Sequence, residues 1–70
     1  DLHAQQANKG RVKINSGYLN IRSAPSVNAP IIGRAYNGDS IYVLGQSGNW
    51  YSVNYNGLEG YASSSYISLP

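Results

Sequence analysis

The stretch "NWYSVNYNGLEGYASSSY", residues 49–66, decides the fold of this chain. Two runs of alternating residues flank Asn56-Gly57, and this dipeptide is a strong signal for a two-residue type I′ turn between antiparallel strands. With those two residues as the loop, counting outward makes Tyr55 face Leu58 and Ser52 face Tyr61. The stretch therefore predicts a β-hairpin of defined register.

The counted register divides the hairpin side chains between two faces. The more apolar face, predicted to be core, carries Tyr51, Val53, Tyr55, Leu58, Gly60 and Ala62. The outer face carries Trp50, Ser52, Asn54, Glu59, Tyr61 and Ser63. Trp50 is predicted to lie diagonal to Tyr61, within aromatic reach. A Trp on the outer face has two interpretations: a ligand platform, since Trp is frequent at binding hot spots, or a ring that seals the barrel under a loop.

The rest of the chain also reads as short strands separated by turns. Alternating segments recur about every eight to twelve residues, which is typical of an all-β domain. The predicted strands are "RVKIN", "YLNIR", "IIGRAY" and "SIYVLG", with inward side chains at Val12, Ile14, Leu19, Ile21, Ile41 and Val43. Breaker-rich segments separate them at residues 23–30, 37–39 and 46–49. We predict a small, strongly bent barrel of short antiparallel strands, with a single 3₁₀ turn at "SSSY".

Length and composition limit the organisation of the chain. Its 70 residues allow one domain, which we place at residues 10–70 after an unstructured linker at residues 1–9. The absence of Cys excludes disulfide support, and the absence of Met indicates a piece of a longer protein. No apolar run reaches the roughly 20 residues that span a membrane, so we expect no membrane insertion, and no signal peptide is visible.

The charge of the chain is weakly basic. The net charge is +2, and Lys9, Arg11 and Lys13 supply three of the five basic residues. This cluster indicates a mild attraction to anionic surroundings. It is too sparse for a nucleic-acid footprint, which needs a denser basic stripe, so we expect no nucleic-acid partner.

Residues suited to catalysis are scarce. The one histidine, His3, lies in the predicted linker, and the carboxylates are Asp1, Asp39 and Glu59, with no evident pairing. Asp39 follows Asn37-Gly38 and is predicted to be a turn residue. The run of serines at residues 63–65 has no partner base. The sequence predicts neither an active site nor a metal site, and no cofactor.

The aromatic residues are seven Tyr and one Trp, with no Phe. Tyr is suited to positions where one end of the ring is buried and the other is wet. We expect Tyr51 and Tyr55 to be core or rim residues. Tyr66 is either a binding residue or a structural tether, and Tyr61 is open to both interpretations.

A second candidate group lies on "YLNIR". Tyr18, Asn20 and Arg22 alternate with the inward residues and therefore point outward. They are candidates for ligand contact. Asn20 and Arg22 could instead hydrogen-bond backbone groups of the "SAPS" loop and hold its shape.

These motifs together resemble the bacterial Src homology 3 (SH3) family. "LNIRSAPS", "PIIG", "NGDSIYVL" and "NWYSVNYNGLEGYASSSYIS" follow in the family's order and spacing, over roughly residues 12–69. The sequence departs from the family pattern at Ala24, where Gly is usual, and at Tyr61-Ala62, where Trp-Val is usual. The resemblance implies an SH3-like β-barrel of five to seven strands.

The resemblance also implies a role and a place. Such domains are appended to secreted or wall-attached bacterial proteins, often beside peptidoglycan hydrolases, and usually target the cell wall by holding peptide stems or cross-bridges. Others pack on the catalytic domain of their own chain and shape access to it. By spacing, Trp50, Ser63 and Tyr66 match the Trp, Pro and Tyr that line the peptide groove of eukaryotic SH3 domains. This sequence has Ser63 where those domains have Pro, which argues against recognition of proline-rich helical peptides.

The sequence therefore predicts a monomeric, non-catalytic module that binds a peptidoglycan peptide outside the cytoplasm. The alternative is an interaction domain that packs on its parent's catalytic domain. The predicted ligand-binding residues are Trp50, Tyr66, Tyr61, Ser63, Tyr18, Asn20 and Arg22.

Overall fold

The computed structural model describes residues 8–69, which form seven β-strands and one 3₁₀ turn. The strands are β1 (Asn8–Val12), β2 (Tyr18–Arg22), β3 (Ile31–Tyr36), β4 (Ser40–Ser47), β5 (Trp50–Tyr55), β6 (Leu58–Ser63) and β7 (Ile67–Ser68). The 3₁₀ turn (Ser64–Tyr66) links β6 to β7. The strands make one antiparallel sheet in the order β3-β2-β6-β5-β4-β1-β7. The predicted all-β fold with a 3₁₀ turn near the C-terminus is confirmed.

The sheet curls around a single aliphatic core. Every strand contributes at least one buried residue, and the set is Val12, Leu19, Ile21, Ala35, Ile41, Val43, Val53, Ala62 and Ile67. One cluster can draw on all seven strands only if the sheet bends round it, which gives the small barrel. Tyr51 and Tyr55 pack against this core without joining it, as expected of rim residues.

The β5–β6 hairpin has the register that the sequence predicts. Asn56 and Gly57 have φ angles of 53° and 91°, the left-handed values that a type I′ turn requires. Ser52 faces Tyr61 and Trp50 faces Ser63. The turn thus directs the Val53 side chain into the core and that of Trp50 to the other face.

The first strand lies earlier in the chain than "RVKIN" predicts. Asn8 and Lys9 face Val43 and Tyr42 on β4, so these two residues of the predicted linker lie in the sheet. After Val12 the chain leaves the sheet, because the Ile14 N–H donates to Asn37 Oδ1 (3.0 Å). The remaining residues of the predicted linker, 1–7, lie outside the described residues.

Strand β4 is longer than predicted. Its pairing with β5 shifts register between Val43 and Gly45, and pairing then continues until Ser47 faces Trp50. A bulge of this kind adds a residue to one strand and bends it. The predicted turn at residues 46–49 is therefore wrong for its first two residues, which stay in the sheet.

Strands β2 and β6 meet closely at a glycine. They share one paired position, Arg22 with Tyr61. A Cβ on Gly60 would lie 2.6 Å from Ile21 Cγ2 and 2.8 Å from the Arg22 carbonyl oxygen. Both distances are shorter than van der Waals contact, so this approach of the two strands requires a residue without a side chain.

Asp39 joins three separate parts of the barrel. Its Oδ2 accepts hydrogen bonds from the Tyr55 hydroxyl (2.7 Å) and the Tyr36 N–H (2.9 Å), and its carbonyl oxygen accepts one from the Val12 N–H (2.9 Å). The turn role predicted for Asp39 is confirmed by its own N–H, which donates to the Tyr36 carbonyl (2.9 Å). The Tyr55 hydroxyl, followed by the Tyr36 N–H, lowers the pKa of Asp39, and the same bond to Asp39 raises the pKa of Tyr55.

Substitution of Gly60 should destabilise the barrel. Gly60→Ala places a methyl group against Ile21 and the β2 backbone, and overpacking of this kind costs about 1–3 kcal/mol. The matched control is Gly45→Ala, because a Cβ there meets nothing within 4 Å. Urea unfolding of both variants measures the difference. Equal stabilities would show that β2 and β6 move apart without cost.

Removal of the Tyr55 hydroxyl should change how stability depends on pH. Because the pKa of Asp39 is depressed, its carboxylate contributes stability above its ordinary pKa of 3.8, and this contribution is lost as pH falls through the folded-state pKa. Tyr55→Phe should therefore raise the pKa of Asp39 and weaken the acid-side loss of stability. NMR titration of the Asp39 carboxyl measures this shift. Tyr51→Phe is the control, and an unchanged titration in Tyr55→Phe would contradict the assignment.

Candidate functional site

A groove runs between the outer side of β2 and the β5–β6 end that carries the 3₁₀ turn. Its volume is about 360 Å³, within the range of pockets that bind small ligands. Six of the seven predicted ligand-binding residues line this surface, which we name the aromatic groove: Tyr18, Asn20, Arg22, Trp50, Ser63 and Tyr66. Residues that are up to 48 positions apart in the chain, from Tyr18 to Tyr66, thus lie together.

Local structure accounts for each wall of the groove. The alternation of β2 turns Leu19 and Ile21 into the core and its other side chains outward. At the opposite wall, the Ser63 hydroxyl accepts a hydrogen bond from the Ser65 N–H (3.4 Å) and caps the 3₁₀ turn. The Ser64 N–H donates to the Asn49 carbonyl (2.9 Å), which ties the turn to the start of β5. Tyr66 and Trp50 are therefore held on the same side.

The three rings of the groove are accessible to a ligand. Tyr18 and Tyr66 are 42% and 46% exposed, and Trp50 is half-buried. Trp50 is not among the described residues that pack against the core. Trp50 lines the groove together with Val27 of the loop at residues 23–30, and its contact with a ligand stays a prediction.

Tyr61 does not line the groove. It lies on β6 between Ser52 of β5 and Arg22 of β2. The register makes Tyr61 diagonal to Trp50 as predicted, but the two rings do not form a described aromatic pair, and only Trp50 lines the groove. The described rings that do pair are Tyr18 and Tyr36, edge to face, with centroids 6.2 Å apart.

Arg22 and Asn20 differ in their hydrogen bonding. Arg22 Nη1 donates to the Ala29 carbonyl oxygen (2.9 Å), so it holds the loop of residues 23–30, as the local interpretation predicts, while lining the groove. Asn20 Oδ1 is buried and has no hydrogen-bond partner among the described residues. A buried acceptor of this kind is costly to leave unpaired. Asn20 therefore lines the groove with a side chain whose carbonyl oxygen the described fold leaves unpaired.

Several residues that line the groove are not among those predicted from the sequence. Ile14, Leu19 and Val27 also line it, and Val27 is 70% exposed. A bulky apolar residue within a loop rich in Pro and Ser was the available signal for Val27. Arg34 is also unpredicted: its guanidinium lies 4.5 Å from the centre of the Tyr18 ring and supports that wall by a cation–π contact.

The lining of the aromatic groove joins rings with polar side chains. It combines three rings, an amide, a hydroxyl and one guanidinium, and it includes no carboxylate, His or Cys. Among residues 8–69, no three His, Cys, Asp or Glu residues come together as a metal site would need. Over the same residues, no helix has the length and hydropathy to cross a membrane.

Comparison with known proteins gives a family match and one partial relative. A family model described as "Bacterial SH3 domain" matches residues 17–68, well over half of the chain. The chain is also 29% identical over 60 residues to a protein named Bacteriocin BCN5 from Clostridium perfringens. That alignment covers 86% of this chain and 7% of the bacteriocin, so the chain spans a small part of that relative's length.

Replacing the unpaired amide of the groove should stabilise the free domain. Asn20→Leu removes a buried polar group with no described partner and keeps a similar volume, so we expect a gain of about 1 kcal/mol. Asn54→Leu is the matched control: Asn54 Oδ1 accepts from the Gly57 N–H (2.9 Å), and its removal should cost stability. Denaturant unfolding of both variants tests this. Equal losses would show that the Asn20 amide is already satisfied.

Proposed function

Because the chain belongs to the bacterial SH3 domain family, we propose that it is a non-catalytic module that holds a peptidoglycan peptide in the aromatic groove. Through this contact it targets a larger secreted or wall-attached bacterial protein to the cell wall. The observation that carries the proposal is the meeting of Trp50, Tyr18 and Tyr66 in one groove that Asn20 and Arg22 also line.

An extended peptide fits the chemistry of this lining. Its carbonyl or carboxylate groups can accept from the Arg22 N–H groups that do not bond Ala29. The three rings offer large, rigid contact area at little entropic cost. A volume of about 360 Å³ accommodates a few residues, which agrees in size with a stem peptide or a cross-bridge.

We propose that the parent is a multidomain protein, such as a peptidoglycan hydrolase, and that this module supplies its retention on the wall. A match that occupies 7% of a bacteriocin supports a domain of this kind working within a much longer chain. One small groove binds weakly, so retention depends on tandem copies or on the attached domain.

Sedimentation with purified peptidoglycan sacculi tests the proposal. The 70-residue chain should sediment with sacculi, and Trp50→Ala should weaken binding about thirtyfold while the domain stays folded. The large loss follows from removing a stacked aromatic platform, which costs about 2 kcal/mol or more.

The contrasting variant is Val53→Ala, whose side chain is fully buried on the other face. It should lose about 1–3 kcal/mol of stability and yet bind normally while folded. Failure of the wild type to sediment with sacculi of several wall types would overturn wall targeting and favour packing on a neighbouring domain. Unchanged affinity in a folded Trp50→Ala domain would exclude Trp50 from the site.

A further inference from the structure

A second concave surface lies along β1. It has a volume of about 620 Å³ and is formed by β1 with the residue after it, the turn that follows β3, and the end of β7: Lys9, Gly10, Arg11, Val12, Lys13, Asn37, Gly38, Ser68 and Leu69. We name it the basic cleft. It shares no lining residue with the aromatic groove.

Three cations follow one another along β1 and the residue after it. Gly10 and Val12 are buried, so Lys9 and Arg11 are exposed on the other side of the strand, about 7 Å apart. Lys13, which directly follows β1, is also exposed and extends the row, and its N–H donates to the Tyr66 carbonyl (2.8 Å). Three of the five basic residues of the chain lie in this one row.

The described carboxylates do not neutralise this row. Asp39 follows Gly38 of the cleft, and its Oδ2 accepts hydrogen bonds from the Tyr55 hydroxyl and the Tyr36 N–H rather than from a cation of the row. Glu59 is separated from Lys9 by the paired positions of β4 and β5, a distance of about 14 Å at the spacing between strands. At physiological salt this exceeds the screening length of about 8 Å.

Part of the cleft is fixed in place before any ligand arrives. Arg11 Nη1 donates to the Gly38 carbonyl (3.0 Å), which orients the guanidinium and leaves its other N–H groups available. Asn37 Oδ1 accepts from the Ile14 N–H (3.0 Å), so its amide NH₂ remains as a further donor. The cleft thus combines mobile ammonium groups with oriented donors.

We propose that the basic cleft binds a linear, single-chain polymer of phosphate groups, laid along β1. A row of cations favours a chain of anions over a single anion, and phosphate oxygens match both the Arg11 fork and the Lys point charges. The row spans only five residues, which suits a flexible chain better than the broad surface of a duplex. The proposal is independent of the peptide function, since the two surfaces share no residue.

Binding of short-chain inorganic polyphosphate, measured across a salt series, tests this inference. Lys9→Gln combined with Lys13→Gln should weaken binding about tenfold at low salt. The slope of log Kd against log salt should fall by about 0.7–0.9 for each cation removed. Amide shifts on binding should concentrate in residues 9–13, 37–38 and 68.

Matched variants separate the cleft from general charge. Lys13→Gln and Arg34→Gln remove the same charge, but Arg34 lies outside the cleft lining, so only Lys13→Gln should weaken binding. Trp50→Ala should bind polyphosphate normally, which distinguishes failure here from failure of the peptide function. Equal losses in Lys13→Gln and Arg34→Gln, or equal affinity for duplex DNA at the same salt, would overturn the proposal.

Discussion

The two-residue turn at Asn56-Gly57 determines which side of the hairpin each side chain takes, because a turn of fixed length sets the pairing of every residue beyond it. Side chains alternate along a strand, so a slip of one residue would exchange Val53 for Ser52 in the core and turn Trp50 inward. Burial of Val53 in the core therefore fixes the register of the hairpin, and this register places Trp50 at the groove. Two left-handed residues far from Trp50 thus decide whether the groove has its largest ring.

The choice of Tyr throughout follows from how thin the core is. The buried residues are aliphatic, and no ring is fully enclosed among the described residues. Tyr51 and Tyr55 cover the edge of the core, and the Tyr55 hydroxyl is used to fix Asp39. The exposed rings of Tyr18 and Tyr66 stand in the groove wall. At each of these positions one end of the ring packs against the protein and the hydroxyl end meets water or a polar partner. Phe has no hydroxyl and would not provide this second interaction.

Sequence reasoning predicted what local rules fix. The Asn56-Gly57 turn predicts the β5–β6 register, and strand alternation predicts the outward residues of β2. Together with the resemblance, these rules indicate six of the residues that line the aromatic groove. Sequence reasoning could not predict what only tertiary contact decides. Asn8 and Lys9 become a strand because β4 pairs with them, Ile14 leaves the sheet because Asn37 takes its N–H, and Val27 reaches the groove because Arg22 holds its loop. Tyr61 has the same outward pattern as Trp50 and still falls outside the groove.

The pairing of the first described strand with the last has a mechanical consequence. Arg11 faces Ser68 and Val12 faces Ile67 in an antiparallel ladder, so the chain enters β1 and leaves β7 at the same end. Tension applied between Asn8 and Leu69 would load this ladder one hydrogen bond at a time, as a zipper opens, rather than shearing all of its bonds together. Under such tension, β7 would peel away first. The 3₁₀ turn that carries Tyr66 lies directly before β7, so the aromatic groove would lose that wall before the rest of the barrel came apart.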